Sequence, residues 1–199
     1  MKLLTAIMAA GYSRRFNGQK LVRNICGIPS ILRVINSLHA TGIEEISVVL
    51  RPDDLILRSL IPEGVSIIFN TEAVEGMASS LRIAARTAIN SGQDLLIALA
   101  DQPLVSADSF MRLIREWRNG KKGLISYSRD RVPVSPVIFT RRYLDQVSVL
   151  SGDIGGKKIL LNNPEDVKLL EFSDPWEAED MDNEEGARRI EEHLGCVDK

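Results

Sequence analysis

Three basic side chains, Arg14, Arg15 and Lys20, follow Gly11 in a polar segment that comes directly after the first apolar run. A glycine at the end of a buried strand lets backbone N–H groups approach a ligand closely. Arginine and lysine add donors that phosphate oxygens accept strongly. The combination suits a polyphosphate, with a solvated basic turn as the equal alternative on composition alone. It is not a P-loop. Gly11 and Gly18 are too far apart for G-x-x-x-x-G-K-[ST], and Lys20 precedes Leu21. The dinucleotide fingerprint G-x-G-x-x-G is absent as well, so simple ATPase and nicotinamide readings lose their main support. A second candidate is Asp101, which follows the apolar stretch 94–100 and precedes Gln102-Pro103. It reads either as a ligand-facing carboxylate or as a turn former. His39 and His193 lie away from both segments, with no metal-like spacing, and read as structural or exposed.

The elements that position these residues follow from hydrophobic periodicity. Residues 3–9 read as a short buried strand ended by Gly11. Pro29 opens a helix with Ile31, Leu32, Val34, Ile35 and Leu38 on one face, and Gly42 stops it. Strands are expected at 46–50, 65–69 and 94–100, and helices at 53–60, 78–89 and from Ser106 to Asn119-Gly120. Parallel strands need such crossovers. The expectation is an α/β fold with a doubly wound, mostly parallel open sheet of the Rossmann-like kind. Ligands then sit beyond the carboxyl ends of the strands, in the loops after Ala9, Phe69 and Ala100. Past Gly123 the rhythm loosens. Strands are expected at 123–127, 137–139 and 167–172, with a polar loop at 128–136 between the first two and a final helix at 184–194.

Length and composition bound the class. The chain has 199 residues, 44% apolar and 26% charged, which suits one soluble domain and excludes wholesale disorder. No run reaches transmembrane length, and the apolar start is too short for an export signal, so no membrane role and a cytoplasmic location are expected. Cys26 and Cys196 give no disulfide framework. The net charge of −2 conceals a polarity: the first 43 residues carry six basic and no acidic side chains, whereas residues 171–192 carry ten acids against Arg188 and Arg189. Nucleic-acid binding through the basic end has no recognition motif to support it.

Six stretches, taken in order, resemble one family. Residues 8–16 (MAAGYSRRF) with Lys20-Leu21 resemble the LAAGxSxRFGxxKLL opening of the MobA/MocA-like nucleotidyltransferases. Residues 76–82 (GMASSLR) are similar to GMxxSLxxG, 98–105 (ALADQPLV) to LGDQPLV, and 135–139 with Arg142 to NPVLFxxxxF. Residues 150–157 (LSGDIGGK) are similar to LSGDxGAR, and 180–185 (DMDNEE) to DIDTPED. The likeness covers residues 3–186 and is strongest to the molybdenum cofactor cytidylyltransferases. Departures are Asn17 for a glycine, Ala100 for a glycine, Gly156-Lys157 for Ala-Arg, and Asn183-Glu184 for Thr-Pro.

The resemblance implies a nucleotide-diphospho-sugar transferase type of sheet in a single domain, 1–199. The nucleotide side would lie at about 1–120 and the acceptor side at about 121–199. It implies Mg2+-dependent transfer of a nucleotide from an NTP to the phosphate of a molybdopterin-type cofactor. Ala10, giving AAG rather than AGG, favours CTP. Arg15, Lys20 and Asp101 would be catalytic. Ala9, Ala10, Gly11, Ser13, Arg14, Arg15 and Lys20 would bind nucleotide, and Ser79 and Ser80 would bind nucleotide or cap a helix. Asp101 and Asp182 would hold the metal. Gln102, Asp153 and Asp180 would face the acceptor, and which of Asp153, Asp180 and Asp182 completes the metal site stays open. A molybdenum hydroxylase would receive the product. The alternatives are another phosphorylated acceptor, such as a sugar or polyol phosphate, or a molybdenum-cofactor delivery protein.

Overall fold

A computed structural model of the chain describes residues 2–12, 20–152 and 155–196. Strand β1 (Leu3–Met8) is buried over five of its six residues, as a central strand covered on both faces must be. It pairs in parallel with β4 (Ile46–Leu50) on one side and β6 (Asp94–Leu99) on the other. β5 (Ser66–Phe69) adds in parallel to β4. Beyond β6 come β8 (Val132–Phe139), antiparallel to it, then β7 (Leu124–Arg129) and β9 (Val167–Glu171). The order is β5-β4-β1-β6-β8-β7-β9, and only β8 runs against the rest.

Helices cover both faces. On one, Ile31, Val34, Ile35 and Leu38 of α1 (Ser30–His39) pack with Phe110, Leu113 and Trp117 of α4 (Ala107–Arg118) against Ile7, Val48 and Leu96. Leu57, from α2 (Leu55–Leu60), joins the same cluster. On the other, α3 (Met77–Ser91) and α5 (Arg141–Ser148) set Leu81, Ala84, Ala85, Leu144 and Val147 against Leu4, Ala6 and Leu95. Ala6 and Ile7 serve opposite faces because successive strand side chains alternate. The short helix α6 (Lys157–Asn162) adds Ile159 and Leu160 to this second face. The doubly wound sheet expected from the sequence is therefore present. Ser106 caps α4 by accepting from the Ser109 N–H at 3.1 Å, also as expected.

Three local features depart from the sequence reading. Residues 24–29 form a small hairpin of β2 (Asn24–Ile25) and β3 (Ile28–Pro29), turned at Cys26 and Gly27 with φ of 49° and 78°. The stretch 128–136 is not a polar loop. β7 and β8 run on through it and turn only at Asp130 and Arg131, whose φ values of 50° and 64° are those of a tight primed turn. Pro133 sits opposite Ser128 and the register shifts between Ser126 and Tyr127, so strand pairing overrides a proline-rich composition. Third, Cys26 and Cys196, in which the sequence offered no disulfide framework, are joined by a disulfide across 170 residues, with Cα atoms 5.6 Å apart. The last helix, α7 (Glu184–Leu194), ends beside the β2–β3 turn and brings them together.

Candidate active site

Parallel strands deliver their following loops to one edge of a sheet. Asp101 leaves β6 there through Ala100, whose N–H donates to the Met8 carbonyl at 3.2 Å, so it emerges beside the end of β1. Lys20 opens a short 3-10 turn, Lys20–Val22, anchored by buried Leu21. Its Nζ donates to Asp101 Oδ2 at 2.7 Å and to Asp182 Oδ1 at 3.0 Å. Asp182 is delivered by Met181, whose N–H donates to the Asp101 carbonyl at 2.9 Å. The Met181 side chain is fully buried with Ile25, Ala187 and Ile190. One ammonium thus joins the two ends of the chain.

Charge is crowded here. Burial alone would lower the Lys20 ammonium, but the Asp101 carboxylate, with help from Asp182, outweighs it and raises Lys20 above its usual value. Asp180 keeps an exposed edge at the mouth of the cleft, yet the protein crowded around its carboxyl pushes it up to about 6. The nearby Asp101 and Asp182 charges add to the rise, while Gln102 and Lys20 oppose it. Three carboxylates against one ammonium leave an excess of negative charge that a cation would relieve. Among the described residues no group of three or more His, Cys, Asp or Glu forms a metal cage. Two convergent carboxylates are nevertheless what Mg2+ uses when substrate phosphates and water supply its other ligands. Asp101 and Asp182 therefore fit such an ion.

Two clefts open among the loops at this edge of the sheet. One, of about 290 Å³, is lined by Ala10, Gly11, Tyr12, Gly76 and Ser80. The other, of about 340 Å³, has a largely apolar lining that includes Leu81, Leu99, Val137 and Phe139. Gln102, Ser126, Ser135, Asp180, Arg129 and Lys157 supply its polar side chains. Met77, at the start of α3, lines both. Gly156 belongs to the second cleft, and a Cβ there would come 2.7 Å from the Phe139 ring, so glycine is needed for close approach.

The sequence candidates divide accordingly. Lys20, Asp101, Asp180 and Asp182 converge, and Gln102 lines the second cleft beside Asp180. Ala9 is buried, with its N–H bonded to the Val49 carbonyl at 2.9 Å, so of residues 9–11 Ala10 and Gly11 meet the first cleft and Ala9 does not. Ser80 lines that cleft. The Ser79 hydroxyl instead turns to the Gly76 carbonyl at 2.8 Å. Ser13, Arg14, Arg15 and Asp153 lie outside the described residues.

The sequence reading passed over four residues. Arg51, just past β4, donates to the Gly11 carbonyl at 2.7 Å and the Ala10 carbonyl at 3.3 Å. Its guanidinium also lies 4.4 Å from the Tyr12 ring centroid, so one side chain braces residues 10–12. The signal available was a lone arginine at the carboxyl end of a parallel strand. Asn70, the first residue after β5, donates from Nδ2 to Ser79 Oγ at 2.8 Å and Ser80 Oγ at 2.9 Å. Arg129 carried no signal by itself, and Lys157 only its place in the LSGDxGAR-like stretch, because the hairpin and the α6 start that aim them are tertiary features.

A family model described as the MobA-like NTP transferase domain matches residues 5–167. The chain belongs to that family. Among MobA-like relatives, nicotine blue oxidoreductase of Paenarthrobacter nicotinovorans is 27% identical over 192 residues, covering 92% of this chain and 94% of that one. A nucleotidyl transferase from Methanothermobacter thermautotroptrophicus superposes with a TM-score of 0.82 at 20% identity, covering 97% of each chain. A Mycobacterium tuberculosis protein solved in complex with manganese gives 0.75 at 18% identity, covering 96% of this chain and 99% of that one. The MobA-like chain is thus a nucleotidyltransferase by family, on the nucleotide-diphospho-sugar transferase fold. Among its described residues, no helix is long and apolar enough to cross a membrane.

Proposed function

We propose that this protein is a divalent-metal-dependent cytidylyltransferase that joins CTP to the phosphate of a molybdopterin-type cofactor and releases pyrophosphate. The observation that carries this reading is Lys20 bridging Asp101 and Asp182, with the adjoining Gln102 and Asp180 lining a cleft. Residues up to about 120 would serve the nucleotide and those beyond it the acceptor. The AAG opening and the small first cleft support a pyrimidine nucleotide. The largely apolar lining of the second supports an acceptor with a flat or apolar body.

In this reading an acceptor phosphate oxygen attacks the α-phosphorus of CTP. A new P–O bond forms, the bond to the β-phosphate bridging oxygen breaks, and the electron pair leaves with pyrophosphate. The nucleophile is already an anion, so no Ser/His/Asp triad is required. Lys20 neutralises charge building on the departing phosphates, and the Ala10 and Gly11 amides approach the nucleotide. Asp101 and Asp182 would hold Mg2+, which supplies charge neutralisation on the phosphates when bound. Arg15, and with it Arg14 and Ser13, would add phosphate donors from the same loop. Asp153 would serve the acceptor. A cytoplasmic location, and a molybdenum hydroxylase that takes the product, complete the reading.

A pyrophosphate-release assay across the four NTPs tests it, run with molybdenum cofactor, with sugar phosphates and with polyol phosphates, with and without Mg2+. Release with CTP and molybdenum cofactor alone supports the reading. Release only with a sugar or polyol phosphate favours the other acceptor class. Cofactor retention without turnover would make the chain a delivery protein. The oxidoreductase name of one relative makes a parallel NADH-oxidation assay the control.

A further inference from the structure

The segment 20–26 and helix α7 are fastened along their whole shared length. At one end Lys20 Nζ meets Asp182, which stands just before the α7 cap Asn183. In the middle Arg23 pairs with Glu184 at 3.1 Å and Glu191 at 3.2 Å, and Ile25 packs fully buried against Ala187 and Ile190. At the far end Cys26 and Cys196 are bonded, with Glu191 touching both: its carboxylate accepts from the Cys26 N–H at 3.4 Å and its carbonyl from the Cys196 N–H at 3.1 Å. Arg23, Glu184 and Glu191 reach solvent in part, so their pairs are worth little singly. The apolar contact is only a handful of side chains, separate from the two main core clusters. The covalent link is therefore the strongest fastening of α7 to the strap that carries Lys20.

We propose that Cys26 and Cys196 are a reversible redox clasp: the disulfide holds α7, and through it Asp182, against Lys20 and Asp101, and its reduction loosens that end of the site. This rests on the metal–nucleotide reading of the Lys20 cluster. Cys196 lies exposed just after α7, within reach of a small-molecule disulfide such as oxidised glutathione. One cysteine thiolate attacks that disulfide, forming a mixed disulfide and expelling one glutathione thiolate. The second cysteine then attacks the protein-bound sulfur, closes the Cys26–Cys196 bond and expels the other. The two cysteines lose two electrons and two protons overall, and the glutathione disulfide gains them. A bond that closes so long a loop restrains the unfolded chain strongly.

The full chain is prepared with dithiothreitol and with oxidised glutathione, and intact mass reads the loss of two hydrogens. Amide exchange over residues 182–194, the melting temperature, and KM and kcat for CTP with Mg2+ are then compared, with Cys196→Ser alongside. The expected result is faster exchange over 182–194 and a Tm lower by roughly 5–15 °C in the reduced protein. KM for CTP should rise at least about threefold on reduction, a loss of ~0.7 kcal/mol in binding. Cys196→Ser should behave as the reduced form under both treatments. The proposal is overturned if oxidised glutathione leaves both thiols free. It is equally overturned if the bond forms and neither exchange over 182–194 nor KM changes. If neither form turns over CTP, the transferase reading fails, while amide exchange still decides whether the bond clamps α7.

Discussion

Lys20 and Asp101, 81 residues apart in sequence, meet at 2.7 Å, and the same ammonium reaches Asp182 at 3.0 Å. Lys20 is the single described cation bonded to these two acids, so it offsets part of their negative charge. Its side chain is only 12% exposed, which strengthens the pairing, while 59% exposure of Asp182 keeps that arm weak and movable.

Lys20→Ala should lower turnover by roughly 10²–10³-fold, the scale of losing one oriented group that stabilises developing charge. The fold should survive, because Leu21 and not Lys20 anchors the turn to the core. Pyrophosphate release read beside a thermal melt checks this. Unchanged turnover would remove Lys20 from the phosphate site.

Asp101→Ala should remove activity together with the divalent-ion requirement. The Met181 N–H bonds the Asp101 backbone carbonyl, not its side chain, so the 180–182 segment should stay in place. A metal titration followed by pyrophosphate release is the measurement. Activity that still needs Mg2+ in the variant would contradict the assignment.

Asp180 predicts a pH dependence. Its carboxyl is raised to about 6, so its charged form is disfavoured in the fold. The cost to stability is absent below its ordinary value of 3.8, grows as pH rises, and is complete above about 6. Metal binding has the opposite sense, because a protonated Asp180 removes one negative charge beside Asp101 and Asp182. Affinity for Mg2+ with CTP should therefore rise between about pH 5 and about pH 7, and Asp180→Asn should flatten the curve. Calorimetric titrations across that range test both statements.

Arg51→Ala should act on nucleotide binding rather than on chemistry. It releases the Ala10 and Gly11 carbonyls and the Tyr12 ring together. KM for the NTP should rise about 10-fold with kcat changed less than about 3-fold, the pattern of lost uniform binding. Arg51→Lys should recover only part, because one ammonium lacks the guanidinium's planar fork. A fall in kcat with KM unchanged would refute a positioning role.

Asp166 is a stability determinant away from the site. It accepts from the Tyr143 hydroxyl at 2.6 Å and the Gly123 N–H at 3.0 Å. Burial would raise its carboxyl, but Tyr143, Gly123 and Arg142 outweigh it and hold it below its ordinary value. Tyr143, buried and facing that carboxylate, is pushed up to about 12. The depressed carboxyl adds stability above its ordinary range, which is lost as pH falls through the lowered value. Asp166→Ala should cost about 1–3 kcal/mol by stranding both donors, seen as a Tm drop of roughly 3–10 °C at neutral pH and a smaller drop in acid.

Periodicity and breakers were enough to read the elements that alternate up to residue 120, because β1, β4 and β6 are covered on both faces and announce themselves as short apolar runs. The same patterning put Asp101 at the ligand edge and exposed the charge polarity between the two ends of the chain. What followed Gly123 was legible only in part. Arg131 is not a residue that advertises a tight turn, although Asp130 is, and Pro133 and Pro136 argue locally against the strand they occupy.

Only the tertiary structure decided which acids meet Lys20. Sequence spacing treats Asp180 and Asp182 alike, but the Met181 N–H bonded to the Asp101 carbonyl, with the Met181 side chain buried, turns Asp182 onto the ammonium and leaves Asp180 lining the neighbouring cleft. The carbonyls that Arg51 reaches and the partner of Cys26 were likewise not legible, since each contact joins two segments distant in the chain. Local composition records which face of an element is apolar. It does not record which distant partner arrives, and the chemistry of this site is made of such arrivals.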